Sequence, residues 1–179
     1  MKDFSALILS ETKTLNEQHK NVHVTYKDRK NSRSAMEQWN RACEIWHSYR
    51  SELDHYLDRV FKDFKINDKE IKEFVITFLE LNPWFFRSGY IKADLLIRIK
   101  RSYLTEEDKK RLRVVLLNAV LRIGTREYKK YCSLAMAIHT ENFISELKTL
   151  SKEKSPVCSR AKLMLRYINP KLVEYYQST

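Results

Sequence analysis

Glycine occupies only positions 89 and 124 of this 179-residue chain, where ordinary usage is about 7%. Tight hairpin turns draw on glycine for their positive-φ positions, and dinucleotide-binding loops need several glycines in a short run. A chain this poor in glycine is expected to build neither, and its many Leu, Ile, Lys and Glu residues favour helix. The length suffices for one packed core without disulfides or metal. The expectation is therefore a single all-α domain over residues 1–179. Cys43, Cys132 and Cys158 are odd in number, far apart and flanked by apolar residues, which reads as small hydrophobes in a reducing compartment.

Apolar spacing and capping residues place the helices. The first is expected over about residues 3–18, with Phe4, Leu7, Ile8 and Leu15 on one side, followed by a polar connection over 19–33. Ser34-x-x-Glu37 has the form of a capping box and opens one long helix near residues 34–64. Within it Trp39, Cys43, Trp46, Leu53, Leu57, Val60 and Phe64 recur at steps close to a heptad, a seam that fits packing inside the domain or a homodimer through 39–64. Asn67-x-x-Glu70 starts the next helix, whose Ile71, Phe74, Val75, Phe78 and Leu79 form one stripe before Pro83. Thr105-x-x-Asp108 starts another, apolar on two sides: Leu112, Val115, Leu116, Ala119 and Ile123 against Val114, Leu117 and Leu121. Such a helix is expected at the centre of the domain, between neighbours. Helices over about 126–139, 141–150 and 156–168 complete the chain, the last with Ser155 as cap and Pro156 in the first turn.

Two architectures remain open: an irregular helical bundle, or a short stack of antiparallel helix pairs from residue 67 onward. Arg98, Lys130 and Lys162 recur at intervals of 32, each followed by Ile99, Tyr131 or Leu163. That layout resembles a HEAT- or armadillo-like stack.

Charge divides the chain unevenly. Residues 1–86 hold 14 Lys/Arg against 14 Asp/Glu, whereas residues 87–130 hold 13 against 5. The domain thus has a neutral part over 1–66 and a basic part over 67–179. On helical wheels Arg98, Arg101, Arg126, Lys129, Lys130, Lys162 and Arg166 fall opposite apolar faces. In parallel register they form a basic ladder suited to carboxylates or phosphates. No zinc-finger spacing, RNA-recognition signature or helix-turn-helix glycine turn accompanies the charge, so contact with nucleic acid would be to the backbone.

The segment Asn82-Pro83-Trp84-Phe85-Phe86-Arg87-Ser88-Gly89-Tyr90 sets three large aromatics after a helix-stopping proline. One reading plugs them into a helix joint, with Gly89 supplying an unusual backbone angle. The other makes Trp84, Arg87 and Tyr90 a partner anchor, since Trp, Tyr and Arg dominate binding hot spots. The exposure of Trp84 separates the two. Residues 82–168 resemble a group of uncharacterised bacterial proteins with a similar N-P-W-F-F-R-S-G-Y element; the resemblance implies no activity.

Chemistry is sparse. Glu44-x-x-His47 and Glu52-x-x-His55 are expected about 12 Å apart on one helix, and a dimetal centre needs its two motifs on facing helices. Cys43 with His47, and His19-x-x-x-His23 in the expected connection, are incomplete ligand pairs. No nucleophile elbow or phosphate loop occurs. No cofactor and no metal are expected, nor an enzyme. No stretch approaches the roughly 18 apolar residues of a membrane span, and no signal peptide is evident. The expected protein is cytoplasmic and binds an acidic protein partner through its basic face, as a bacterial immunity or regulatory protein does. Backbone-directed nucleic-acid binding is the alternative.

Overall fold

A computed structural model describes residues 2–62, 66–122, 127–153 and 155–170. Among these residues the chain forms nine helices packed as a bundle and no strand. They are α1 (Phe4–Asp28), α2 (Arg33–Ser48), α3 (Glu52–Lys62), α4 (Lys69–Leu81), α5 (Ser88–Arg101), α6 (Glu106–Leu121), α7 (Tyr128–Ile138), α8 (Glu141–Leu150) and α9 (Pro156–Ile168). No helix among the described residues is long and apolar enough to cross a membrane.

Side-chain caps set most of the starts by satisfying backbone donors that lack a helical acceptor. Thr105 and Asp108 form the expected reciprocal capping box, and Ser155 caps α9 ahead of Pro156. Two expected caps shift. Ser32 accepts from Ala35 N in place of Ser34, and Asp68 accepts from Glu70 N and Ile71 N in place of Asn67.

The polar connection expected over 19–33 is mostly helix, because α1 continues to Asp28. Antiparallel packing of α2 along α1 explains it. Tyr26 meets Trp39 edge-on at 5.8 Å, His19 lies 5.3 Å from Trp46, and the Tyr49 hydroxyl donates to Glu11 at 2.7 Å. Tertiary contact thus holds helical a stretch that its own composition does not favour.

The single long helix expected over 34–64 is instead two, α2 and α3, separated at residues 49–51. Tyr49 takes an extended conformation, and the chain restarts on a reciprocal pair: Ser51 N donates to Asp54 Oδ2 at 2.9 Å, and Asp54 N to Ser51 Oγ at 3.3 Å. The break lets α3 turn into the core, where Leu53, Tyr56, Leu57 and Val60 are buried. Trp39 and Trp46 of the same seam face α1 within the chain. Phe64 lies outside the described residues.

The central helix is α4, not α6. Every α4 residue from Phe74 to Leu79 is buried, and α1, α3, α5 and α6 all pack on it. On α6 the Leu112, Val115, Leu116 and Val120 side is buried, while Val114 and Leu121 on the other face solvent; Ile123 lies outside the described residues. Beyond α4 the sequential pairs α4–α5, α6–α7 and α8–α9 pack internally, and α4 meets α6, α5 meets α7 and α7 meets α9. Cys132 is buried, and Cys43 and Cys158 are half-buried and unbridged.

Candidate interaction site on the 82–90 loop

The loop between α4 and α5 is set by two non-glycine residues in left-handed backbone. Asn82 ends α4 at φ 47°, ψ 56°, and Arg87 precedes α5 at φ 67°, ψ 1°. Each such conformation costs on the order of 1–3 kcal/mol and persists only where surroundings enforce it. The enforcing contacts are on both sides of the loop. Inside, Phe85 is buried edge-on against Phe78 at 6.3 Å, and its backbone exchanges hydrogen bonds with Ser88. Outside, Asn16 Nδ2 on α1 donates to the Trp84 carbonyl at 2.8 Å.

Gly89 has no positive φ, contrary to the expected role. Its requirement is space: a Cβ there would stand 3.2 Å from Glu127 Oε2. Glu127 is 5% exposed and lies 3.7 Å from Lys92 Nζ, itself 4% exposed. The Lys92 ammonium also donates to Asn82 Oδ1 at 2.9 Å and to the Pro83 carbonyl at 3.3 Å. It therefore ties the end of α4 to the start of α7 through the loop. Burial lowers the Lys92 pKa, with Glu127 opposing the shift and Arg122 adding to it.

Held this way, the loop turns its other aromatics outward. Trp84 is 79% exposed and Tyr90 58%, and Phe86 is stacked on His19 at 5.0 Å beneath the Arg87 guanidinium. These residues border a cavity of about 460 Å³ whose lining includes Lys92 and Glu127. The three adjacent aromatics divide: Phe85 plugs the joint, Trp84 is presented to solvent and Phe86 lies against His19, while Tyr90 in the first turn of α5 is exposed as well.

A second concavity, of about 620 Å³, follows the C-terminal half of α5. Lys100 and Arg101 from α5 meet Lys129 and Lys130 from α7, with Tyr167 of α9 at the side. Lys100 Nζ donates to Ser133 Oγ at 2.8 Å. Among the described residues no Asp or Glu lines this groove. Of the expected ladder it gathers Arg101, Lys129 and Lys130. Arg98 goes elsewhere: it is half-buried, with its guanidinium over the Phe61 ring at 5.4 Å. Lys162 is half-buried and Arg166 exposed on α9, neither lining the groove. Arg126 lies outside the described residues. Other cations of the basic part are neutralised locally. Arg111 is clamped between Glu73 and Glu80 at 2.7–2.9 Å, and Lys72 pairs with Asp108 at 2.8 Å.

Sequence reasoning misses Lys92, Glu127, Asn16 and Lys100. The first two are 35 positions apart and no local pattern joins them. The Glu-x-x-His motifs lie on α2 and α3, not on one helix, and no group of three or more His, Cys, Asp or Glu able to hold a metal occurs among the described residues. Comparison with known family models, curated proteins and solved structures finds no match. The expected likeness of residues 82–168 to a bacterial group has no counterpart in these comparisons.

Proposed function

We propose that the protein is a non-enzymatic interaction module that docks an acidic protein partner, with Trp84, Arg87 and Tyr90 as anchors and Arg101, Lys129, Lys130 and Lys100 as the complementary charge. The observation that carries the reading is the 79% exposure of Trp84 on a loop whose backbone is held from both sides. Leaving a Trp in water forgoes a large burial gain, and a rigid aromatic gains that burial in a complex at little entropic cost. Arg87 is supported by the Phe86 ring at 5.2 Å, which presents a guanidinium suited to carboxylates. The finer architecture proposed is a short HEAT-like stack of the pairs α4–α5, α6–α7 and α8–α9. In this reading the protein acts in the cytoplasm as an immunity or regulatory protein that covers a partner's surface.

The test is capture from source cells followed by affinity measurement with the purified partner. Trp84→Ala is expected to cost about 2 kcal/mol or more of binding, as a buried hot spot does. Lys129→Glu with Lys130→Glu should slow association and flatten its loss with salt. Equal affinity of both variants with the parent protein overturns the proposal.

One observation favours the alternative of backbone-directed nucleic-acid binding: four cations line one groove that no Asp or Glu among the described residues enters. Fluorescence anisotropy with random duplexes decides it. Phosphate contact gives a log–log salt slope of about 0.9 per contact, and an acidic protein surface gives no duplex binding at physiological salt.

A further inference from the structure

The His19-x-x-x-His23 pair, expected in a connection, lies on α1. Residues four apart on a helix share a face, and here the two Nε2 atoms point at each other at 3.3 Å. The rings are 4.5 Å apart and nearly perpendicular, at 79°. A zinc–imidazole bond is about 2.0–2.1 Å long, so two nitrogens on one tetrahedral zinc stand roughly 3.3–3.4 Å apart. The spacing is thus already that of two ligands of one ion.

We infer that His19 and His23 form a two-imidazole site on α1 for a divalent transition metal, with zinc as the best geometric match. Imidazole suits zinc, copper and nickel, and rejects the hard cations calcium and magnesium. Both rings must be neutral to bind. Without metal, one neutral ring donates its Nε2 proton to the other; on zinc binding that ring's proton moves to Nδ1, so that both Nε2 lone pairs face the ion and each ring carries its one proton on Nδ1. The His19 ring is braced by Phe86, stacked at 5.0 Å, and by Trp46 at 5.3 Å. Ordered rings lower the entropy lost on chelation. No third His, Cys, Asp or Glu joins the pair among the described residues, so water fills the remaining positions and the ion exchanges readily. The site stands independently of the docking proposal, since neither histidine needs a partner chain to meet the metal.

The full-length protein is titrated with zinc chloride by calorimetry, and the imidazole carbon-bound protons are followed by NMR. One zinc per chain is expected, with the His19 and His23 signals shifting together. His19→Ala and His23→Gln should each weaken binding by about tenfold or more, in line with losses at ligand shells, while His47→Ala should leave it unchanged. His23 is exposed and its ring meets that of His19, so His23→Gln is expected to keep the fold, which circular dichroism verifies. Magnesium should not compete. Absence of zinc binding to the parent protein, or unchanged affinity in either histidine variant, overturns the site.

Discussion

The ammonium of Lys92 stands 3.7 Å from the Glu127 carboxylate with both side chains withdrawn from water, and it holds Asn82 Oδ1 and the Pro83 carbonyl as well. Removing one member of a buried pair leaves an uncompensated charge, at a cost of about 3–5 kcal/mol. Lys92→Met is expected to destabilise by that amount in urea unfolding. Lys92→Met with Glu127→Gln should recover much of the loss, because the stranded carboxylate is gone. A double variant as unstable as Lys92→Met alone would show that the contacts to Asn82 and Pro83, and not the charge pair, carry the stability.

Gly89 sits in the first turn of α5 with ordinary backbone angles. Alanine there gains up to about 1 kcal/mol from helix propensity. Against that, its Cβ would approach Glu127 Oε2 at 3.2 Å, and Lys92 limits how far the carboxylate can retreat. Gly89→Ala is expected to be net destabilising in the parent protein and stabilising in a Glu127→Ala background. The same sign in both backgrounds, read from urea midpoints, refutes the crowding explanation.

Local signals carried far into this fold, and much of what they leave open depends on contacts between helices. Thr105-x-x-Asp108 and Ser155-Pro156 start helices where their residue types say they should, because a cap acts within one turn. Ser51-x-x-Asp54 carries the same kind of signal and marks the break that the heptad-like spacing conceals. The extension of α1 to Asp28 is not local: it depends on Tyr26 and His19 meeting Trp39 and Trp46 of α2. The two-sided apolar pattern of α6 misleads about the centre, since Val114 and Leu121 stay in solvent. At the candidate site, the 82–90 segment and three of the basic residues are legible as types, but which aromatic turns inward is not. That choice follows from the left-handed turns at Asn82 and Arg87 and from a lysine–glutamate pair that only the fold brings together.

The division of labour between Trp84 and Phe85 is directly measurable. Trp84→Ala removes a ring that is 79% exposed, and its effect on stability should stay within about 0.5 kcal/mol. Phe85→Ala empties a buried position against Phe78 and should cost about 3–5 kcal/mol. Thermal unfolding of the two variants therefore separates anchor from plug. A Trp84→Ala loss as large as that of Phe85→Ala would mean that the indole supports the loop and is not held in reserve for a partner.

Acid should weaken the α4–α6 contact through Glu73. The Arg111 guanidinium, bonded to it at 2.7 and 2.9 Å, holds the Glu73 pKa below its usual 4.5, with burial opposing the shift. As pH falls through about 4.5 the unfolded chain takes up this proton first, so the folded state binds fewer protons and loses stability. The contribution is complete above that pH and vanishes once Glu73 protonates in the folded protein. Urea midpoints measured from pH 7 downward should fall below pH 4.5 for the parent protein. In Arg111→Gln the midpoint starts lower at pH 7 and its acid slope is shallower, since Glu73 then titrates nearer its unfolded value. An identical acid slope in the two proteins would place the acid sensitivity in other carboxylates and remove Glu73–Arg111 as its source.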